Sequence, residues 1–164
     1  MELTFEESTD NKVHEENVIS NFELDDVAAV LISICEVFEH SEMVSFVVSG
    51  FGQEKWPVDC RTDLATIIEQ IPDILKKVNK GIFLFKLDFY EQGIERQLVF
   101  EEEGGLVRVT CMSRTNWIPN PNAILLDKVK VSTMIKNFHK NFLEYSSVLC
   151  TDLANNPLLE NWKK

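Results

Sequence analysis

Basic residues are nearly missing from the first quarter of this sequence. Residues 1–42 carry twelve carboxylates against a single cation, Lys12. Nucleic-acid recognition requires clustered Lys and Arg, so a nucleic acid is not expected as a partner. Long apolar runs are missing too. The longest, around Val27–Cys35, falls well short of the about 20 residues that cross a bilayer, and no membrane partner is expected. The opening MELTFEE lacks the basic-then-apolar order of a secretory signal. The four cysteines, Cys35, Cys60, Cys111 and Cys150, form no CxxC and no dense spacing. They read as reduced, mostly buried thiols of a cytoplasmic protein.

Signatures of catalysis are absent as well. The one GxG, Gly50-Phe51-Gly52, leads into an expected strand rather than a helix N-terminus, so it reads as a tight turn and not a phosphate cradle. Neither GxSxG nor HExxH occurs. Glu36 and His40 stand four apart on a predicted helix and could share a metal, but no spacing supplies the third and fourth ligands. His139, between Lys136 and Lys140, reads as a basic surface residue. Cys60 precedes a helix, where a thiol pKa can fall, yet nothing in the sequence offers it a histidine. The expectation is a protein that is not an enzyme and holds no cofactor and no metal.

What is present is charge, unevenly placed. The formal net charge is −11, and residues 43–164 hold fifteen acids and fifteen bases, so the whole excess lies in residues 1–42. The stretch EESTDNKVHEENVISNFELDD, Glu6 to Asp26, concentrates eight carboxylates against one lysine. A basic protein is the natural complement of such a surface, and asymmetry of this kind governs partners and association rates rather than fold.

The apolar pattern divides the chain into elements. At 164 residues a single domain is expected, with 1–22 an acidic, partly mobile leader and 23–164 a globular core. Leu3 and Phe5 alternate with polar residues, which suggests a short strand over 2–7. Val27, Val30, Leu31, Ile34 and Phe38 lie on one face of a helix ending near Ser41, with Asp25 and Asp26 in its first turn. Val44, Phe46 and Val48 predict a strand that reverses at Gly50 and Gly52 and returns over Lys55–Asp59. Thr62 or Asp63 can cap a helix through Leu64, Ile67, Ile68, Ile71, Leu75 and Val78. Pro72 predicts a kink or break in that helix, and Gly81 its end. Three hairpin-linked strands follow over 82–90, 94–101 and 106–112. TNWIPNPN reads as a loop, and Met134, Ile135, Phe138, Phe142 and Tyr145 mark a closing helix over 131–149. The expected fold is α+β: an antiparallel β-meander sheet of about five strands with three main helices packed on it.

A small, acidic, catalytically barren α+β chain with the meander FLFKLDFYEQGIERQLVFEEEGGLVRVTCMS and the closing helix TMIKNFHKNFLEYSS resembles the immunity proteins of bacterial polymorphic toxin and contact-dependent growth inhibition systems. That resemblance implies a cognate toxin domain as partner, with this protein made in the same cell; the acidic surface favours a basic toxin, of which a nuclease is one candidate. The carboxylates of Glu15, Glu16, Glu23, Asp25, Asp26, Glu36, Glu39 and Glu42 are the candidate partner-binding residues. Trp117, in a loop bounded by Pro119 and Pro121, is a candidate anchor. Two alternatives stand beside this reading. One is a secretion chaperone of the small acidic α+β type. The other is a non-catalytic structural or regulatory domain whose acidic leader only keeps it in solution.

Overall fold

The computed structural model describes residues 1–8 and 24–163. The fold is α+β, with four helices and two antiparallel sheets among the described residues. The strands are β1 (Glu2–Glu7), β2 (Val44–Ser49), β3 (Phe85–Phe89), β4 (Arg96–Glu103), β5 (Leu106–Ser113) and β6 (Ala123–Leu126). The helices are α1 (Val27–Ser41), α2 (Ala65–Asn79), α3 (Lys128–Leu149) and the short α4 (Thr151–Ala154). One sheet has the order β3-β4-β5-β6 and the other is the pair β1-β2. The expected single sheet of about five strands is therefore six strands in two sheets.

The meander is built by local chemistry. Glu103 pairs with Leu106 across Gly104 and Gly105, whose φ values of 57° and 88° supply the left-handed turn that matches strand twist. Phe85, Phe100 and Val109 lie side by side across β3, β4 and β5, as do Leu87, Leu98 and Cys111, and all six are buried. The Phe85 and Phe100 rings stack with centroids 4.4 Å apart. TNWIPNPN then leads into β6, a strand its weak alternation did not announce.

The strand expected over Lys55–Asp59 does not form. The partner of β2 is β1, with Phe5 opposite Phe46. Trp56 donates its backbone N–H to the Val48 carbonyl at 2.8 Å, and from there the chain turns away to begin a helix. Packing decides the pairing: Phe5 stacks face to face on Phe138 of α3 at 5.1 Å and meets Phe38 of α1 edge-on at 6.1 Å. Burying Phe5 is worth about 1.5–3 kcal/mol to β1. Among the described residues, only Trp56 makes a backbone bond to the other edge of β2, because Pro57 has no N–H for a ladder and Val58 turns its N–H back to the Trp56 carbonyl at 2.9 Å. Residues 2–7 are thus part of the core rather than of a separable leader. The remainder of the expected leader lies outside the described residues.

Helix ends also differ from expectation. Asp26 is not in the first turn of α1 but caps it, accepting the Ala29 N–H at 2.8 Å. Asp59, not Thr62 or Asp63, caps the second helix through the N–H groups of Thr62 and Asp63, and Asp63 returns the favour by accepting the Asp59 N–H at 3.0 Å. The first turn, Cys60–Leu64, is π-helical. Helix α2 then runs unbroken through Pro72, its inner face held by Ile67, Ile68, Ile71, Ile74 and Val78. At its end Gly81 takes φ 72°, and Ile82 and Gly81 donate to Lys77 and Val78 in a Schellman arrangement. The tail adds α4 and a 3-10 turn, Pro157–Leu159, that seats Trp162 against Phe142.

Candidate partner-binding cleft

The candidate carboxylates of α1 do not all face outward. Glu36 is largely covered, and its Oε1 lies 3.7 Å from Arg61 Nε. The Glu39 Oε2 accepts the Cys60 N–H at 2.9 Å. Both acids therefore tie α1 to the π-helical turn ahead of α2. Glu42 is exposed at the α1 C-cap with φ 51°. Asp25 is exposed just before α1. Glu15, Glu16 and Glu23 lie outside the described residues.

Trp117 is used inside the fold. Its ring lies 3.5 Å from the Arg96 guanidinium, which sits 4.4 Å from Trp56 on its other flank. Arg96 is buried, and burial lowers its pKa. Two aromatic faces, worth about 2 kcal/mol each when desolvated, hold the cation there. What this loop presents to solvent is the neighbour of Trp117, Ile118, at 80% exposure.

The Cys60 thiol is buried, as expected of the cysteines, and burial pushes its pKa up to about 12, the reverse of an activated nucleophile. One further expectation is corrected. His139 is a half-buried residue rather than a surface base: its ring packs 5.0 Å from Trp162, and burial lowers its pKa. His40 turns Nδ1 to the Glu36 carbonyl at 2.7 Å. Among the described residues, no three His, Cys, Asp or Glu side chains are grouped to hold a metal ion.

The fold gathers a different acidic set. A cleft of about 280 Å³ between α1, α2 and the end of β3 is lined by Glu36, Glu69, Glu91, Tyr90 and Arg61. Tyr90 is 52% exposed. The carboxyl of Glu69 is raised first by burial and then by the charge of Asp26. The Tyr90 hydroxyl is raised by burial, then by Glu69, Glu91 and Asp88. Asp63, buried behind the cleft, is pushed up to about 6 by burial, with Asp59 and Glu91 adding to the shift against the pull of the Asp59 N–H. Burial leads each of these shifts, and the acids from the start of α1 to the turn after β3 add to them through their charge. Among the described residues Arg61 is the one cation lining the cleft, and it already faces Glu36.

Glu69, Tyr90 and Glu91 were not among the candidate residues. The signal available was modest: Glu69 is the first acid on the polar stripe of α2, and Tyr90-Glu91 opens the EQG turn. Only the packing of α2 on β3 brings them beside Glu36. The Gln70 side chain fixes that packing by pairing with both the N–H and the carbonyl of Asp88, at 2.9 and 2.8 Å.

No protein family, curated protein or solved structure matches this chain. No helix among the described residues is long and apolar enough to cross a membrane.

Proposed function

We propose that this chain is an immunity protein, made in the cytoplasm of the cell it protects, that binds and neutralises a basic cognate toxin domain. The observation that carries the reading is the cleft in which Glu36, Glu69 and Glu91 converge beside an exposed Tyr90 with Arg61 as the sole lining cation among the described residues. Carboxylates so placed make charge-assisted hydrogen bonds to Lys and Arg, and on a nuclease they occupy the groups that hold phosphate. Tyr90 supplies the amphipathic contact area typical of binding hot spots. The field of the acidic leader and cleft together speeds encounter by about 10–10³-fold and falls with salt.

The test is capture of partners from the native host at low and high salt, beside Glu69→Lys/Glu91→Lys and a variant with Glu15, Glu16, Asp25 and Asp26 neutralised. Removing residues 1–22 is the wrong control, because it takes Leu3 and Phe5 out of the core. The expected result is one folded basic protein, released by salt, lost with the cleft reversal, whose toxicity the wild-type chain suppresses. A partner indifferent to salt and to both charge variants sinks the proposal. One observation favours a second reading, a secretion chaperone: a groove of about 690 Å³ beside β1, lined in part by Leu3, Val129 and Met134. That reading requires an unfolded effector segment as the captured species.

A further inference from the structure

The sheet edges of this molecule are treated unequally. The outer edge of β3 is closed by the Gln70 amide, which pairs with Asp88. The outer edge of β2 is covered by Trp56, whose N–H meets the Val48 carbonyl, and by the Cys60 thiol facing the Val44 carbonyl at 3.8 Å. The outer edge of β1 is different. Ser8 donates to the Met43 carbonyl at 2.8 Å, which makes that residue pair hydrogen-bonded and fixes the alternation along the strand. Glu2, Thr4 and Glu6 then bond to β2, while the N–H and C=O groups of Leu3, Phe5 and Glu7 point away from it. Among the described residues, no backbone hydrogen bond reaches that outward row.

Beside this open edge lies the groove of about 690 Å³, floored by the N-terminal half of α3. Its volume falls within the range of pockets that enclose a ligand. Val129, 75% exposed, and Met134 present apolar surface toward the strand. The side chains of β1 divide by face: Leu3 and Phe5 are buried toward the core, and Glu2 and Glu6 are exposed on the other side. Glu6 holds only a loose, exposed contact to Lys55 at 3.9 Å.

We infer that β1 is a docking edge for an extended segment of the basic partner. The segment joins β1–β2 as a third strand, with basic side chains opposite Glu2 and Glu6 and apolar side chains over Leu3, Val129 and Met134. The charge pattern selects this occupant over a second copy of the chain. An antiparallel β1–β1 pair centred on Thr4 sets Glu2 against Glu6, and like charges directly opposite are destabilising; one centred on Phe5 sets apolar Leu3 against charged Glu7 and gains no charge pair. The same acids that disfavour self-pairing match a strand of alternating basic and apolar residues. Main-chain bonds to Leu3, Phe5 and Glu7 supply affinity, and the alternating side chains supply specificity.

This inference rests on the inhibitor reading for its basic partner. The probe is a blocked peptide centred on Arg-Val-Thr-Val-Lys, titrated against the full chain with amide exchange read residue by residue. The peptide is expected to slow exchange at Leu3, Phe5 and Glu7. Val129→Lys and Glu2→Lys, both at exposed positions that leave the core intact, are each expected to weaken it by about tenfold. A peptide with Glu in place of its basic residues is expected not to bind. Binding unmoved by both variants, equal binding of the acidic peptide, protection confined to the α1–α2 cleft, or dimerisation through β1 without peptide would each overturn the inference. A host partner lost with Glu69→Lys but indifferent to Val129→Lys overturns it while leaving the inhibitor reading intact. Peptide capture at β1 with no basic host protein retained supports the docking edge and removes the inhibitor reading.

Discussion

The two sheets are assembled in opposite ways. β3, β4 and β5 follow one another through short turns, so each strand finds its partner among its sequence neighbours. β1 and β2 are separated by the whole of α1 and by residues outside the description, and their pairing is held from below by Phe138 and Tyr145 of α3. Local pairing closes small loops at low entropic cost, whereas the β1–β2 sheet depends on tertiary packing that must already exist. The open edge lies with the non-local sheet, whereas the acidic cleft is shared between α1, α2 and the turn after β3. The meander serves as the rigid half against which they are positioned.

The largest expected effect tests that division directly. Phe5→Ala removes a ring stacked on Phe138 and is expected to cost about 3–5 kcal/mol in urea unfolding. Amide exchange in that variant is expected to rise in β1 and β2 before β4 and β5; equal loss in both sheets would break the comparison. Next in size is Asp63→Asn. The folded chain holds the Asp63 proton up to about pH 6, against an ordinary value of 3.8. Stability linked to this group is therefore complete below 3.8 and lost as pH rises through 6. The Asn variant escapes that loss, gaining up to about 3 kcal/mol at neutral pH and nothing near pH 3.5. A gain independent of pH would mean the carboxylate is not the cause. The smallest effect belongs to the meander. Gly105→Ala places a side chain at φ 88° with no atom within 4 Å of the added carbon, so only backbone strain of about 1–2 kcal/mol is expected, with β1–β2 exchange unchanged.

How much of this was legible follows the same line. The α1 face, the apolar side of α2, the three meander strands and the α3 stripe all express periods of 3.6 or 2 within a single stretch, and each stands within a few residues of where its pattern put it. The failures lie where a distant contact outweighs a local preference. Lys55–Asp59 looked like the return strand of a hairpin, but the chain leaves β2 after Trp56, whose ring packs on Phe89 and Trp117 of distant segments. The place of Trp117 over Arg96, a residue on another strand, was likewise not readable from its loop. Of the candidate acids, Glu36 and Glu39 are engaged inside the fold. Their use in binding Arg61 and the Cys60 N–H depends on how α1 meets α2, which no window of sequence contains.

Trp56 and Trp117 stand 6.0 Å apart with their rings inclined at 63°. With respect to light they are one chromophore rather than two. Indole transition dipoles at that distance couple, and dipoles that are neither parallel nor in one plane split their absorption into components of opposite rotational strength. The resulting ultraviolet doublet exists only while the segment after β2 lies against the loop after β5. A circular dichroism spectrometer can therefore watch the seam between the two halves of the molecule open, with no label attached, while the helical signal is still intact.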